Sequence, residues 1–117
     1  MRDLYHPRLE DVALAHVLHA LSDPLRLEIV RVLADCREVP CSSLKAAVTK
    51  STMSHHFKVL REAGLTYTRA SGTQRLISLR LEQVETRFPG LVNSVTPRRE
   101  SRLKAQKRGL RAGRYGK

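Results

Sequence analysis

Ser51-Thr-Met-Ser-His-His-Phe-Lys-Val-Leu-Arg-Glu-Ala63, followed by Gly64, is the stretch on which the fold turns. Met53, Phe57 and Leu60 recur at i, i+4 and i+7, the spacing of one face of a helix. Ser51, Ser54, His55 and Lys58 recur at i, i+3, i+4 and i+7 on the opposite face, with no acid among them. Ser51 suits an N-cap, and Gly64 sits where a left-handed C-cap is wanted. The spacing predicts a helix over 51–63 with one apolar wall and one polar, basic wall.

Upstream, Ser42 or Ser43 offers a cap for a short helix over 42–48, with Leu44, Ala47 and Val48 turned inward, and Thr49-Lys50 makes a tight connection. Two helices joined this way match helix-turn-helix geometry, in which the second helix enters the major groove of duplex DNA. Further back, Ser22-Asp23-Pro24 reads as a helix start, with Asp23 capping and Pro24 at the first helical position. The dense apolar set Leu25, Leu27, Ile29, Val30, Val32 and Leu33 makes this helix central, with Arg26, Glu28 and Arg31 on its wet edge. It ends near Asp35, ahead of Pro40. Leu9, Val12, Ala13, Val17, Ala20 and Leu21 predict a first helix over 9–21.

Downstream of Gly64 the period changes to alternation. Residues 65–69 and 75–80 are β-prone runs, and Ala70-Ser-Gly-Thr-Gln74 between them holds the glycine a hairpin needs. A lone hairpin is marginal, so it must lean on the helices as a wing. Residues 82–95 carry Val84, Phe88, Leu91, Val92 and Val95, interrupted at Pro89-Gly90 into two short helical pieces. The expected fold is mainly α with a small β-hairpin, a dimeric winged helix-turn-helix of order α-α-α-α-β-β-α. Residues 1–96 are expected to form the DNA-binding and dimerisation domain and 97–117 a basic tail, too poor in apolar residues to build a core and so disordered without a partner.

The charge follows this division. The net charge is +11, and residues 97–117 contribute nine Lys/Arg against Glu100, while 42–80 contribute seven against Glu62. A chain this basic meets a polyanion. No apolar run approaches the roughly 20 residues of a membrane span, and Met1–Pro7 has no signal-peptide character. With only Cys36 and Cys41, a secreted disulfide framework is excluded and a cytoplasmic setting expected. Aromatic residues are 4% and Trp is absent, which makes the core aliphatic.

The DNA-facing candidates are Lys50, Ser51, Thr52, Ser54, His55 and Lys58 on the predicted recognition helix, with Arg69 and Arg75 on the hairpin, where Arg suits a narrow minor groove. His55 lies on the polar stripe; His56 flanks Phe57 and reads as a packing or hydrogen-bonding residue. Adjacent helical residues diverge by about 100°, so the His pair makes a poor metal site. His16 and His19 have a spacing open to metal but no third ligand nearby, and a site using His6 with them is a weaker alternative. Cys36 and Cys41 read either as two reduced thiols or, if the loop folds back, as a redox pair. No nucleophile–base arrangement, paired carboxylates or phosphate-cradling glycine loop is present, so neither enzyme chemistry nor a cofactor is expected.

Ala20-Leu-Ser-Asp-Pro-Leu-Arg-Leu-Glu-Ile29 and Lys50-Ser-Thr-Met-Ser-His-His-Phe-Lys-Val-Leu-Arg-Glu-Ala-Gly-Leu65 together resemble the ArsR/SmtB family of bacterial winged-helix repressors, over about 9–95. The resemblance implies a homodimer closed by the first and last core helices, an imperfect palindrome in a promoter as its site, and an effector that releases the DNA. It also implies that Ser51, Thr52, Ser54 and His55 contact bases and phosphates. Metal-sensing members carry a Cys-x-Cys motif where this chain has Glu38-Val-Pro-Cys-Ser-Ser43, or Asp, His, His and Glu where it has Glu82-Gln-Val-Glu-Thr-Arg87. Neither ligand set is complete, and no metal ligands are assigned. The expectation is a sequence-specific transcriptional repressor of duplex DNA. The alternatives are a metal- or thiol-responsive switch on the same fold, or a basic module that binds an acidic partner subunit.

Overall fold

A computed structural model describes residues 4–96; the proposed tail, 97–117, lies outside the described residues. Helices α1 (Leu14–Ala20), α2 (Pro24–Asp35) and α3 (Lys50–Glu62) are followed by strands β2 (Thr66–Ser71) and β3 (Gln74–Leu79) and by short helices α4 (Leu81–Arg87) and α5 (Leu91–Val95). A further two-residue strand, β1 (Val39–Pro40), precedes α3 and makes the sheet three-stranded in the order β1-β3-β2, all antiparallel. The core is aliphatic apart from Phe88, with Val17, Ile29, Leu33, Leu60, Leu65, Ile77 and Val84 all but sealed from solvent. Among the described residues no helix is long and apolar enough to cross a membrane.

Asp23 accepts hydrogen bonds from the backbone N–H groups of Leu25 and Arg26 at 2.9 and 3.0 Å, and Pro24 opens α2 as the sequence predicts. The expected helix over 9–21 is broken instead. Leu9–Asp11 form a single 3-10 turn, Val12 and Ala13 are extended, and α1 begins at Leu14. The break turns Leu9 and Val12 onto the C-terminal end of α3. Arg87 donates at 3.2 Å to the Leu9 carbonyl, which also accepts from the Val12 N–H that closes the turn, and at 3.3 Å to the Val12 carbonyl, which lowers the backbone cost of the interruption.

The expected helix over 42–48 is also absent. Pairing of Val39 with Ile77 and Pro40 with Leu76 holds the chain extended, and Cys41–Ser43 then makes one 3-10 turn closed by Ser43 Oγ donating to the Pro40 carbonyl at 2.8 Å. Of the three residues expected to face inward, only Leu44 is buried; Ala47 and Val48 are exposed. Local Ser-to-backbone bonding and β pairing therefore win over a helical stripe too weak to bury itself. The helix that supports α3 is α2.

The hairpin closes on Gly72-Thr73, between the paired Ser71 and Gln74. Gly72 has φ +63° and Thr73 stays at negative φ, the pattern of a turn that matches strand twist. α3 ends on Gly64 at φ +79°, with Gly64 N–H bonded to the Arg61 carbonyl and Leu65 N–H to the Leu60 carbonyl, the paired bonds of a Schellman motif. The arrangement is a winged helix-turn-helix with α3 set between the helical core and the wing.

A Cβ at position 64 would lie 3.3 Å from both Leu9 Cδ1 and Val12 Cγ2. Gly64→Ala is therefore expected to lower stability by at least about 1–2 kcal/mol, the cost of a left-handed non-glycine residue, read as a lower urea midpoint at constant m. An unchanged midpoint would show that neither the backbone conformation nor the Leu9–Val12 packing constrains this corner.

Candidate nucleic-acid interface

Helix α3, predicted over 51–63 as the recognition helix, begins at Lys50. Thr49, not Ser51, is the cap: Thr49 Oγ1 accepts from the Thr52 N–H at 3.2 Å and donates to Thr52 Oγ1 at 2.9 Å. Lys50 thus becomes the first helical residue, Ser51 is freed from a capping role, and Thr52 is half-buried against the cap. Met53, His56 and Leu60 are buried and Phe57 is half-buried, which fixes the inner wall. Lys50, Ser51, Ser54, His55 and Lys58 are all exposed on the outer wall. The one carboxylate of α3, Glu62, stands at its last residue. The outer wall therefore presents hydroxyls, an imidazole and two ammonium groups over three turns before any acid is met.

The hairpin residues divide. Arg75 is exposed on β3 and forms no ion pair among the described residues. Arg69, on β2, makes a two-pronged ion pair with Glu38, at 2.8 and 2.9 Å, which ties the wing to the segment before β1. An exposed pair of this kind contributes little to stability, but it occupies the guanidinium that the sequence marks as free.

The inner wall holds a polar junction that the periodicity does not reveal. Arg26 is 8% exposed, not on a wet edge. Its Nε donates to the Ala20 carbonyl at the end of α1 at 2.7 Å, and its Nη1 lies 3.1 Å from His56 Nδ1 on α3. A guanidinium only donates, so His56 Nδ1 accepts and the ring proton sits on Nε2. Asp23 Oδ2 stands 4.0 Å from the same Nδ1. One side chain thus joins the ends of α1 and α2 to the middle of α3. A signal existed in the sequence: Arg26 lies in the first turn of α2, where a cation opposes the helix dipole and needs another reason to be there.

The electrostatics follow from the burial. His56 is held below the ordinary imidazole value by burial first; Asp23 opposes this, while Arg26 and His55 reinforce it. Burial alone would raise the Asp23 carboxyl, but the Arg26 and Leu25 N–H groups, His56 and the Arg26 charge outweigh it and hold the carboxyl low.

The remaining candidates are dispersed. His6 Nε2 accepts from the Thr68 N–H at 3.0 Å, and His16 and His19 are exposed on α1. Cys36 and Cys41 are half-buried thiols not joined in a disulfide, and burial pushes the Cys41 thiol up, opposite to the shift that activates a redox cysteine. Among the described residues no three His, Cys, Asp or Glu side chains gather as a metal site.

Because the folded chain keeps His56 neutral, the unfolded chain takes up the proton first. Stability is then full above the ordinary imidazole value of 6.5 and declines as pH falls below it. Urea titrations across that range are expected to show a weaker decline in His56→Gln, whose amide oxygen accepts from Arg26 without titrating. Identical slopes in the two proteins would contradict the neutral-acceptor assignment.

Two comparisons bear on this surface. Residues 21–66, which run from the end of α1 to the first residue of β2, match the family described as a helix-turn-helix domain. The chain is 39% identical over 89 residues to YceK of Bacillus subtilis (strain 168), an uncharacterized HTH-type transcriptional regulator; the match covers 74% of this chain and 89% of the relative. With α3 capped, supported by α2 and outwardly basic, and with a relative of nearly matching extent, the chain belongs to the helix-turn-helix family of DNA-binding transcriptional regulators.

Proposed function

We propose that the protein is a repressor of the ArsR/SmtB type that binds a palindromic promoter site as a homodimer through α3. The observation that carries this reading is the exposed outer wall of α3, acid-free from Lys50 to Arg61, opposite a buried wall fixed by Met53, His56 and Leu60. In this reading Ser51, Thr52, Ser54 and His55 meet base edges and nearby phosphates, Lys50 and Lys58 meet phosphates, and Arg75 reaches the flanking backbone or minor groove. Arg69 contributes less, because binding DNA requires it to leave Glu38.

The dimer is supported by unpartnered apolar side chains on the helices that the ArsR/SmtB resemblance places at the interface. Leu14 and Leu18 are 47% and 49% exposed on one face of α1, and Leu81 is 44% exposed at the start of α4. Pairing two copies there sets two α3 helices into major grooves about one helical turn apart. Residues 1–96 would then be the binding and dimerisation unit, with the basic arm 97–117 adding salt-sensitive affinity.

Selection of bound fragments followed by footprinting is expected to yield a site with two-fold symmetry. His55→Ala then weakens binding to that site about tenfold with a much smaller effect on arbitrary duplex. Arg75→Ala weakens binding to both and lowers the salt slope by about 1, while Arg69→Ala does so less. Equal losses on specific and arbitrary duplex for His55→Ala would contradict its assignment to base reading.

A further inference from the structure

A groove of about 910 Å³ runs between the inner flank of α3, the segment 41–48 and the hairpin turn. Its apolar lining comes from Leu44, Ala46, Met53 and Phe57, joined by Val48, which is 43% exposed. Around this lining stand Lys45, Lys50, Lys58, Arg61 and Arg75, and none of the lining residues is acidic. None of the five cations forms an ion pair among the described residues. Thr68, 4% exposed on β2, also lines the groove and keeps a hydroxyl with no hydrogen-bond partner.

The two halves of this lining ask for different things. A phosphate backbone answers the cations but leaves the apolar strip wet; a neutral hydrocarbon covers the strip but leaves five like charges uncompensated. A molecule with both an apolar body and an anionic head satisfies both, and the size is within the range of small-molecule sites. We infer that this groove is a binding site for a small amphipathic carboxylate, with its hydrocarbon on the accessible Ala46–Val48–Phe57 strip, over a floor of Leu44 and Met53, and its head at the Arg61–Arg75 rim. Its consequence rests on the reading of α3 as the DNA-contacting helix. Ser54 and Lys58 line the groove as well as the outer wall, so an occupied groove and bound duplex compete for the same helix.

The test is calorimetric titration of the full chain with decanoate, decanol and inorganic phosphate in parallel. Decanoate is expected to saturate at one molecule per chain and to bind at least about tenfold more tightly than either control. The double change Arg61→Gln with Arg75→Gln removes most of that preference over decanol, and Ala46→Trp, which fills the strip, abolishes decanoate binding. The rim variant, altered only in partly or fully exposed side chains, keeps the test decisive if the tryptophan variant does not fold. Decanol binding as tightly as decanoate, phosphate binding as tightly as decanoate, or no saturable binding each overturns the inference. Displacement of labelled duplex by decanoate is expected in wild type; the rim variant, first brought to the same duplex occupancy because Arg75 also serves duplex binding, is expected to need at least about tenfold more decanoate. Saturable decanoate binding without displacement upholds the site and contradicts the placement of DNA on α3.

Discussion

The guanidinium of Arg26 is the interaction on which the positioning of this surface depends. A buried cation is costly unless it is bonded, and here its Nε bonds the last turn of α1 and its Nη1 bonds His56 of α3, with Asp23 close by. That requirement is directional, unlike the aliphatic contacts around it. Leu60 and Met53 press α3 onto the core but tolerate small rotations about the helix axis, whereas the 3.1 Å contact to His56 Nδ1 does not. Because His55 adjoins His56, fixing one imidazole inward sets the direction in which the other points outward. The buried junction thus determines what the exposed wall offers.

The same economy governs the two ends of α3. Its start is held by the Thr49 hydroxyl and its finish by the left-handed Gly64, against which the side chains of Leu9 and Val12 pack. The wing is secured by a different device. A two-stranded hairpin holds itself poorly, and β1, only Val39–Pro40, supplies the third strand that connects it to the chain leading into α3. Pro40 lacks a backbone N–H, which suits it to this edge position. Arg69 with Glu38 adds a second tie between the same parts.

Much of this was legible in the sequence because it rested on local rules. The Asp23-Pro24 start, the Gly64 stop, the α3 stripe and the two helical pieces around Pro89-Gly90 all follow from capping, φ preference and period. What was not legible depended on distant partners. The break at Val12-Ala13 reflects Gly64 and Arg87, far along the chain, and α-periodicity over 9–21 carries no sign of either. The helix expected over 42–48 fails because β3 recruits Val39–Pro40, and two residues are too few to read as a strand. Arg26 read as solvent-facing because its partner, His56, lies thirty positions away. Of the candidate interface residues, the exposed wall of α3 and Arg75 stand where periodicity put them, while Thr52 and Arg69 are drawn into contacts within the chain.

In the proposed function, the work rests on a division within one helix, an inner face locked to α1 and α2 and an outer face that meets a polyanion. The most direct measurement is residue-resolved NMR of the isotope-labelled chain as short duplex DNA is added at low salt. The largest amide shifts are expected on residues 50–58 and on the hairpin turn at 72–75, while Arg26 and the inner face of α3 barely move. Shifts concentrated on α1 and α4, with the outer wall of α3 unchanged, would contradict that division.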